Sequence, residues 1–406
     1  MDRHLRMVAT LSAFVFLVMM GYTLISPILP LYALEFGASV TGVSLLISAF
    51  AVARLSLDIP AGLLGSRYHP KSLMLFGLAL ISASSVVCAL APNYLILLAG
   101  RILEGAGSAF YTTMSTTLLA MSVPQESRGR YMSVFTAMLL LGGITGPGVG
   151  GLTAAALGLR APFLLYALVT AVGFLLVLLL VERTEVPRAR EALALADIRN
   201  VMGDRSVLLV NLATFSLFFT RAGVTSTLVP LFAYKNLGMS EAALGGVLTL
   251  TALATFTTMT PSGTYTDRHG RKPSMMACLL LTALLGAMIP FTRGVGSFAL
   301  VMLGYGLTLG LSGPMAAWIT DLVPRERLPA AMGFFRTFND AGFVAGPLVL
   351  GAAAELSDGP EIGPLPFAVA AVYLVLVALL LTRARDPARD GGRSRAPVPA
   401  HPTLHQ

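Results

Sequence analysis

Twelve long apolar runs, each closed by a short polar or charged stretch, set the pattern of the chain. They are 8–34, 40–64, 73–91, 94–119, 131–157, 162–181, 207–234, 241–265, 274–291, 297–320, 330–355 and 365–382. A run of about 18 or more apolar residues matches the thickness of a bilayer's hydrocarbon core. Each run therefore predicts a membrane-spanning helix, and the expected fold class is an all-α membrane protein of 12 transmembrane helices. Composition agrees: 55% of the 406 residues are hydrophobic and 12% charged, where a soluble domain carries about 25% charged. The first run is too long for a cleaved signal peptide, is interrupted by Pro27 and Pro30, and has no small-residue cleavage site.

The pattern also repeats. Pro30 and Pro230, Val123-Pro124 and Val323-Pro324, and Gly146-Pro147 and Gly346-Pro347 recur at a spacing of 200. This predicts two six-helix bundles, 1–181 and 207–382, related by an axis along the membrane normal and enclosing a central cavity. Between them, 182–206 is a polar linker with a weak amphipathic pattern at Leu195, Ile198 and Met202. It reads equally as a helix on the membrane surface or a solvated tether. The tail 383–406, rich in Arg, Pro and Gly, is expected to be disordered.

Basic residues orient the bundle. With linker and termini on the cytoplasmic side, cytoplasmic segments hold 21 of the 28 Lys and Arg, and outer loops hold only Arg160, Lys235 and Arg293. The expectation is a multi-pass protein of the cell (inner) membrane with both ends cytoplasmic. The net charge of +8 then reports topology, not a nucleic-acid partner. Cys88 and Cys278 lie in apolar runs near opposite faces, so no disulfide is expected between them.

Residues 261–273, Pro-Ser-Gly-Thr-Tyr-Thr-Asp-Arg-His-Gly-Arg-Lys-Pro, form a charged hairpin between two spans. Gly263 and Gly270 suit a sharp turn and a close approach of helix ends, and Pro273 can open the next helix. Gly263, Asp267, Arg268, Gly270, Arg271 and Lys272 resemble the G-x-x-x-D-R-x-G-R-K loop signature of the major facilitator superfamily. A degenerate twin lies 201 positions earlier: Gly62, Arg67 and Lys71 match, while Ser66, His69 and Pro70 depart from the pattern. The resemblance implies two bundles that rock about a central cavity lined by the first, fourth, seventh and tenth helices.

The fifth span carries Gly142, Gly146, Pro147, Gly150 and Gly151. Such a density of glycine suits close helix packing, and the proline adds a kink. The stretch resembles the G-P-x-x-G-G signature of the drug:proton antiporter branch of that superfamily; tight packing without that function is the other reading. In the fourth span Arg101-Ile-Leu-Glu104-Gly-Ala-Gly107 is similar to the R-x-x-Q-G-x-G segment of the same exporters, with Glu104 in place of Gln. Arg101 and Glu104 share a helix face, as a proton-binding pair in the cavity or as a fixed ion pair. Arg221, near the middle of the seventh span, is expected in the cavity too, on an anionic substrate group or paired with Glu104.

Arg54 and Asp58 in the second span, and Arg336 and Asp340 in the eleventh, are each four apart. The resemblance implies that these two helices face each other across the boundary between the bundles. Asp58–Arg336 and Arg54–Asp340 are therefore expected to bridge it as a gate when the cytoplasmic side is closed, and to pair within their own helices when it opens. In the C half Asp267 and Asp321 can meet Arg268, Arg271 and Arg327 as a latch; Ser66 and Met121 replace the two acids in the N half.

No phosphate-binding G-x-x-x-x-G-K-[ST] loop is present, none of the five His lies in a span, and no nucleophile–base set suggests an enzyme. The function expected is secondary active transport, by a monomer, of a small organic compound. Proton-coupled export by alternating access is preferred, with the proton gradient in place of any cofactor. Arg101 and Arg221 against one Glu104 favour neutral, zwitterionic or anionic compounds. The alternatives are an importer or facilitator of a polar solute such as a sugar or organic anion, and a membrane sensor that binds ligand without moving it.

Overall fold

The computed structural model describes residues 3–65, 67–123, 128–181, 203–324, 327–356, 359 and 361–387. Twelve helical rods cross it. In the N half these are α1 (Arg3–Ile25, resumed after a break as Ile28–Glu35), α2 (Val40–Leu64), α3 (Pro70–Ala89), α4 (Tyr94–Ser122), α5 (Arg128–Leu157) and α6 (Ala161–Leu180). In the C half α7 runs as Arg205–Thr220, a π-helical stretch Arg221–Leu228, and Val229–Lys235. Then come α8 (Glu241–His269), α9 (Lys272–Met288), α10 (Val295–Gly310, then Met315–Leu322), α11 (Leu328–Glu355) and α12 (Leu365–Leu381). Among the described residues nine rods are long and apolar enough to cross a membrane unaided. The others are α4 and α11, which carry the intramembrane charges Arg101, Glu104, Arg336 and Asp340, and the 17-residue α12.

Helices begin where a short polar side chain can accept their first free N–H groups. Ser39, Asn93, Asp204 and Ser240 each do so for α2, α4, α7 and α8. Proline marks the irregularities. Pro27 sits in the break of α1 and Pro314 in that of α10. Pro230 cannot donate to the turn before it, and α7 widens into its π stretch just there.

The packing is as repetitive as the sequence. α1 lies on α5, α2 on α4, and α3 on α6; in the C half α7 lies on α11, α8 on α10, and α9 on α12. The glycines make these contacts possible. A Cβ on Gly142, Gly146 or Gly150 would strike the backbone of α1 at Phe16, Met20 or Leu24. Gly342 and Gly346 meet α7 at Phe215 and Phe219 in the same way. Two seams join the halves, α5 with α8 and α2 with α11. In the first, Gly151 abuts Glu241 and Gly245 abuts the carbonyl of Pro147. In the second, Ser48 Oγ donates to the carbonyl of Val344 at 2.8 Å.

The two ends of the bundle differ. At the end remote from the interbundle linker, Ile28–Ala33 of α1 and Val229–Ala233 of α7 are wholly buried and pack on one another. There the backbone N–H of Thr41 donates to Glu355 Oε1 across the seam at 2.8 Å. This far end is sealed. Toward the linker end, α4 and α10 make no comparable contact across the halves among the described residues.

Several expectations need correction. The 261–273 hairpin is mostly helix: α8 continues to His269, and only Gly270 (φ 89°) and Arg271 turn the chain. Gly263 has open space where its Cβ would be, so it makes no close approach. The tail does not lose order at Arg383. The Arg385 N–H donates to Ser206 at 3.0 Å, the Lys272 N–H donates to Asp386 at 2.9 Å, and the lone Trp, Trp318, donates to the Arg385 carbonyl at 3.1 Å. These bonds hold the tail's start against α7, α9 and α10. The Leu195–Ile198–Met202 pattern and Ser66 lie outside the described residues. Cys88 and Cys278 are both buried and free.

Glycine contact predicts unequal tolerance. Gly150→Ala drives a methyl into the Leu24 backbone and should cost about 1–3 kcal/mol. Gly143→Ala meets nothing within 4 Å and should be neutral, or stabilising by up to about 1 kcal/mol. Thermal melts of the two variants in detergent check this; equal shifts would contradict the packing account.

Candidate functional site

About a third of the way along α4, Arg101 and Glu104 form an ion pair that the bundle encloses, with 4% and 0% of each residue exposed. The small residues around them allow this. Gly105 sits against the Phe50 carbonyl of α2, and Gly100 against Cys88 of α3. The Arg101 guanidinium lies 4.7 Å over the Phe50 ring, and Tyr22 of α1 stacks on that ring with centroids 5.2 Å apart. Arg101 Nε and Glu104 Oε1 find no hydrogen-bond partner. Each charge thus has one strong partner and one unused polar atom. Arg101 also lines a cavity with Tyr22, Ile25, Ser26, Leu29, Ile47, Ser226 and Phe343, which joins α1, α2, α4, α7 and α11 at the centre of the bundle.

Arg221 faces this centre from α7. Its side chain is exposed to solvent, and Tyr22 of α1 and Tyr305 of α10 lie near enough to feel its charge. It does not pair with Glu104, whose carboxylate Arg101 holds. No carboxylate lies within ion-pair distance of Arg221 among the described residues.

The four gate candidates come together. Arg336 Nη2 lies 2.8 Å from Asp58 Oδ2, and Arg54 Nη2 lies 3.7 Å from Asp340 Oδ1, so two bridges join α2 and α11. The within-helix contact Arg336 Nε–Asp340 Oδ2 is present too, at 4.0 Å. Thr113 of α4 adds a 3.4 Å hydrogen bond to Asp58. These bridges coexist with a sealed far end, so they do not by themselves mark the cytoplasmic side as closed.

The loop residues divide. Arg271 gathers the C-half acids: Nη1 meets Asp267 at 2.7 Å and Thr266 at 2.9 Å, and Nε meets Asp321 at 3.1 Å. Arg268 and Arg327 join no ion pair among the described residues, since both acids are taken by Arg271. The two lysines share a role that their spacing did not suggest. Lys71 Nζ donates to the Leu178 carbonyl at 2.9 Å, and Lys272 Nζ to the Thr382 carbonyl at 3.0 Å. Each thus satisfies a carbonyl at the negative C-terminal end of α6 or α12. Arg67 is exposed, and Gly62 is within 4.0 Å of Thr113 only at the limit of contact.

Sequence reasoning missed the π stretch of α7, Tyr22, Phe50 and Tyr305. Pro230 after a Gly- and Thr-containing segment was the available signal for the first. The aromatics had none, because their importance comes from neighbours on other helices.

The family model described as Major Facilitator Superfamily matches residues 11–220 and 210–404. Multidrug resistance protein 2 of Bacillus subtilis is 25% identical over 353 residues, covering 84% of this chain and 87% of that protein. Quinolone resistance protein NorA of Staphylococcus aureus is 23% identical over 378 residues, covering 89% and 94%. Among solved structures, an inward-facing, unoccupied bacterial homolog of the human lysosomal transporter Spinster shares the fold, with a TM-score of 0.74, 17% identity, and coverage of 94% and 95%.

The interbundle bridges predict compensation. Asp58→Arg alone should lower thermal stability by about 1 kcal/mol or more, and adding Arg336→Asp should recover part of the loss. Melts of the singles and the double variant check this; a double variant no better than the singles would contradict the bridge.

Proposed function

The chain belongs to the Major Facilitator Superfamily and is a multi-pass membrane transporter, not an enzyme; from that premise we propose that it exports small organic compounds in exchange for protons. The observation that carries the coupling is the enclosed Arg101–Glu104 pair beside the central cavity. A carboxylate in a low-dielectric site is stable only while its cation is held close. Protonating Glu104 would free Arg101 to reorient toward the cavity, and restoring the pair would expel the proton. Glu104 Oε1 and Arg101 Nε, both unpartnered, leave the pair room to change partners.

Alternating access would use the two seams as pivots. The small-residue contacts of α5 with α8 keep the halves in register at the far end. On α2 and α11, Arg336 and Asp340 already sit within reach of both their own helix and the opposite one, so two arrangements of similar energy are at hand. The far end would be extracytoplasmic, the linker and both termini cytoplasmic, and each monomer would hold a complete pathway in the cell membrane, driven by the proton gradient alone. Export is preferred because the relatives with multidrug and quinolone resistance names match over most of the chain.

The test is proton movement in proteoliposomes holding a pH-sensitive dye, challenged with neutral, zwitterionic, anionic and cationic compounds. Compound-triggered proton flux in the antiport direction is expected, and Glu104→Gln, which keeps a hydrogen-bond acceptor for Arg101, should abolish it while compound exchange persists. Proton flux in the symport direction would make the protein an importer. Exchange without any proton flux would make it a facilitator with Glu104 structural.

A further inference from the structure

Among the described residues, seven Asp, Glu, Lys or Arg side chains lie within the spans between their ends: Arg54, Asp58, Arg101, Glu104, Arg221, Arg336 and Asp340. Three are acids, and each is claimed: Asp58 by Arg336, Glu104 by Arg101, and Asp340 by Arg54. Among these groups Arg221 alone is left without a counter-charge. A charge at bilayer depth is costly and ordinarily lines a pathway or meets a partner, so an unmatched guanidinium in the central crevice calls for an anion that is not part of this bundle.

The local backbone aims that charge. In the π stretch Ala222, Gly223, Val224, Thr227 and Leu228 are buried, whereas Arg221, Thr225 and Ser226 are not. A π-helix takes more residues per turn than an α-helix, which brings 221, 225 and 226 onto one face. Ser226 lines the central cavity, and Tyr22, which interacts with Arg221, lines it as well. Gly223, on the opposite side, is pressed against the backbone of Gly346 in α11, which fixes the rotation of the stretch. Thr225 and Tyr305, which interact across α7 and α10, each keep a buried hydroxyl without a hydrogen bond of ordinary geometry. Arg221 therefore stands among polar groups with unused capacity. Besides Tyr22, Ser26, Ser226 and Arg101, the cavity wall is apolar: Ile25, Leu29, Ile47 and Phe343.

We propose that Arg221 is the anchor for a carboxylate or similar monoanionic group of the transported compound. The cavity as it stands, about 20 Å³, has room for little more than one water molecule, so the compound's apolar body would enter beside Arg221 as Tyr22 and Phe343 part. The guanidinium supplies a planar pair of donors matched to a carboxylate. The assignment rests on the reading of this cavity as the transport site, and it narrows the substrate to amphiphilic organic anions or zwitterions. Arg101, already committed to Glu104, is not the anchor.

Binding to the purified full chain in detergent tests this without reference to transport. The probes are a size series of aromatic and aliphatic carboxylates, each matched by its neutral carboxamide, with chloride and inorganic phosphate as simple anions. Carboxylates of the fitting size should raise the melting temperature in a saturable way, and their carboxamides should not. Arg221→Gln should weaken carboxylate binding at least tenfold, and Arg221→Lys should restore part of it. If Arg221→Gln does not fold, the acid-against-amide contrast in the unaltered protein decides. No stabilisation by any carboxylate, equal stabilisation by the carboxamides, unchanged binding in Arg221→Gln, or an equal effect of chloride or phosphate would each overturn the proposal. Acid-selective binding without proton flux would instead overturn the coupling reading and leave the anchor standing.

Discussion

Charge far from water has to be matched, and this constraint organises the interior. An ion taken from water into a medium of low dielectric loses several kcal/mol even after relaxation, and only a close, well-oriented partner offsets the loss. The Arg101–Glu104 pair meets that condition most fully, because glycines at 100 and 105 let neighbouring helices close around it and the Phe50 ring covers the guanidinium. In the proposed function, the same pair is where the proton would act. Neutralising one member does more here than at a surface, where solvent screens the change.

The seams and the bridges divide the work of holding two bundles together. Glycine against backbone, as at Gly151 with Glu241 and Gly245 with Pro147, gives contact that depends on shape and has one good register. The ion pairs of α2 with α11 differ in kind. Arg336 Nε lies 4.0 Å from Asp340 while its Nη2 lies 2.8 Å from Asp58, so Arg336 already has a second partner on its own helix. A packed far end and a set of bridges nearer the linker end with more than one available partner are what the proposed rocking motion would need.

Much of the fold was legible because the chain is read by the bilayer. Span length and apolarity located all twelve rods, the spacing of 200 exposed the repeat, and the i, i+4 charges of α2 and α11 lay on faces that meet. What escaped the sequence depends on contacts between distant segments. Gly263 and Gly270 look alike in the loop signature, yet only Gly270 takes a positive φ and Gly263 faces open space. Asp267 and Asp321 had three candidate arginines, and Arg271 takes both because the turn at Gly270 carries it between the end of α8 and α10. The charged tail reads as disordered by composition, but Asp386 and Arg385 find the ends of α9 and α7. The π stretch of α7 lies between Pro230 and the Gly223–Gly346 contact, and the second of these no local pattern specifies.

The central claim is that Glu104 exchanges a proton as the Arg101 pair opens and closes. Infrared difference spectroscopy of the membrane-reconstituted protein, recorded across a pH titration and compared with Glu104→Gln, reads that proton directly. The account predicts a protonated-carboxyl band that grows as pH falls through the working range and is missing in the variant. A Glu104 signal that remains carboxylate at every pH at which the protein stays folded would contradict it, and would make the pair a fixed brace of the bundle.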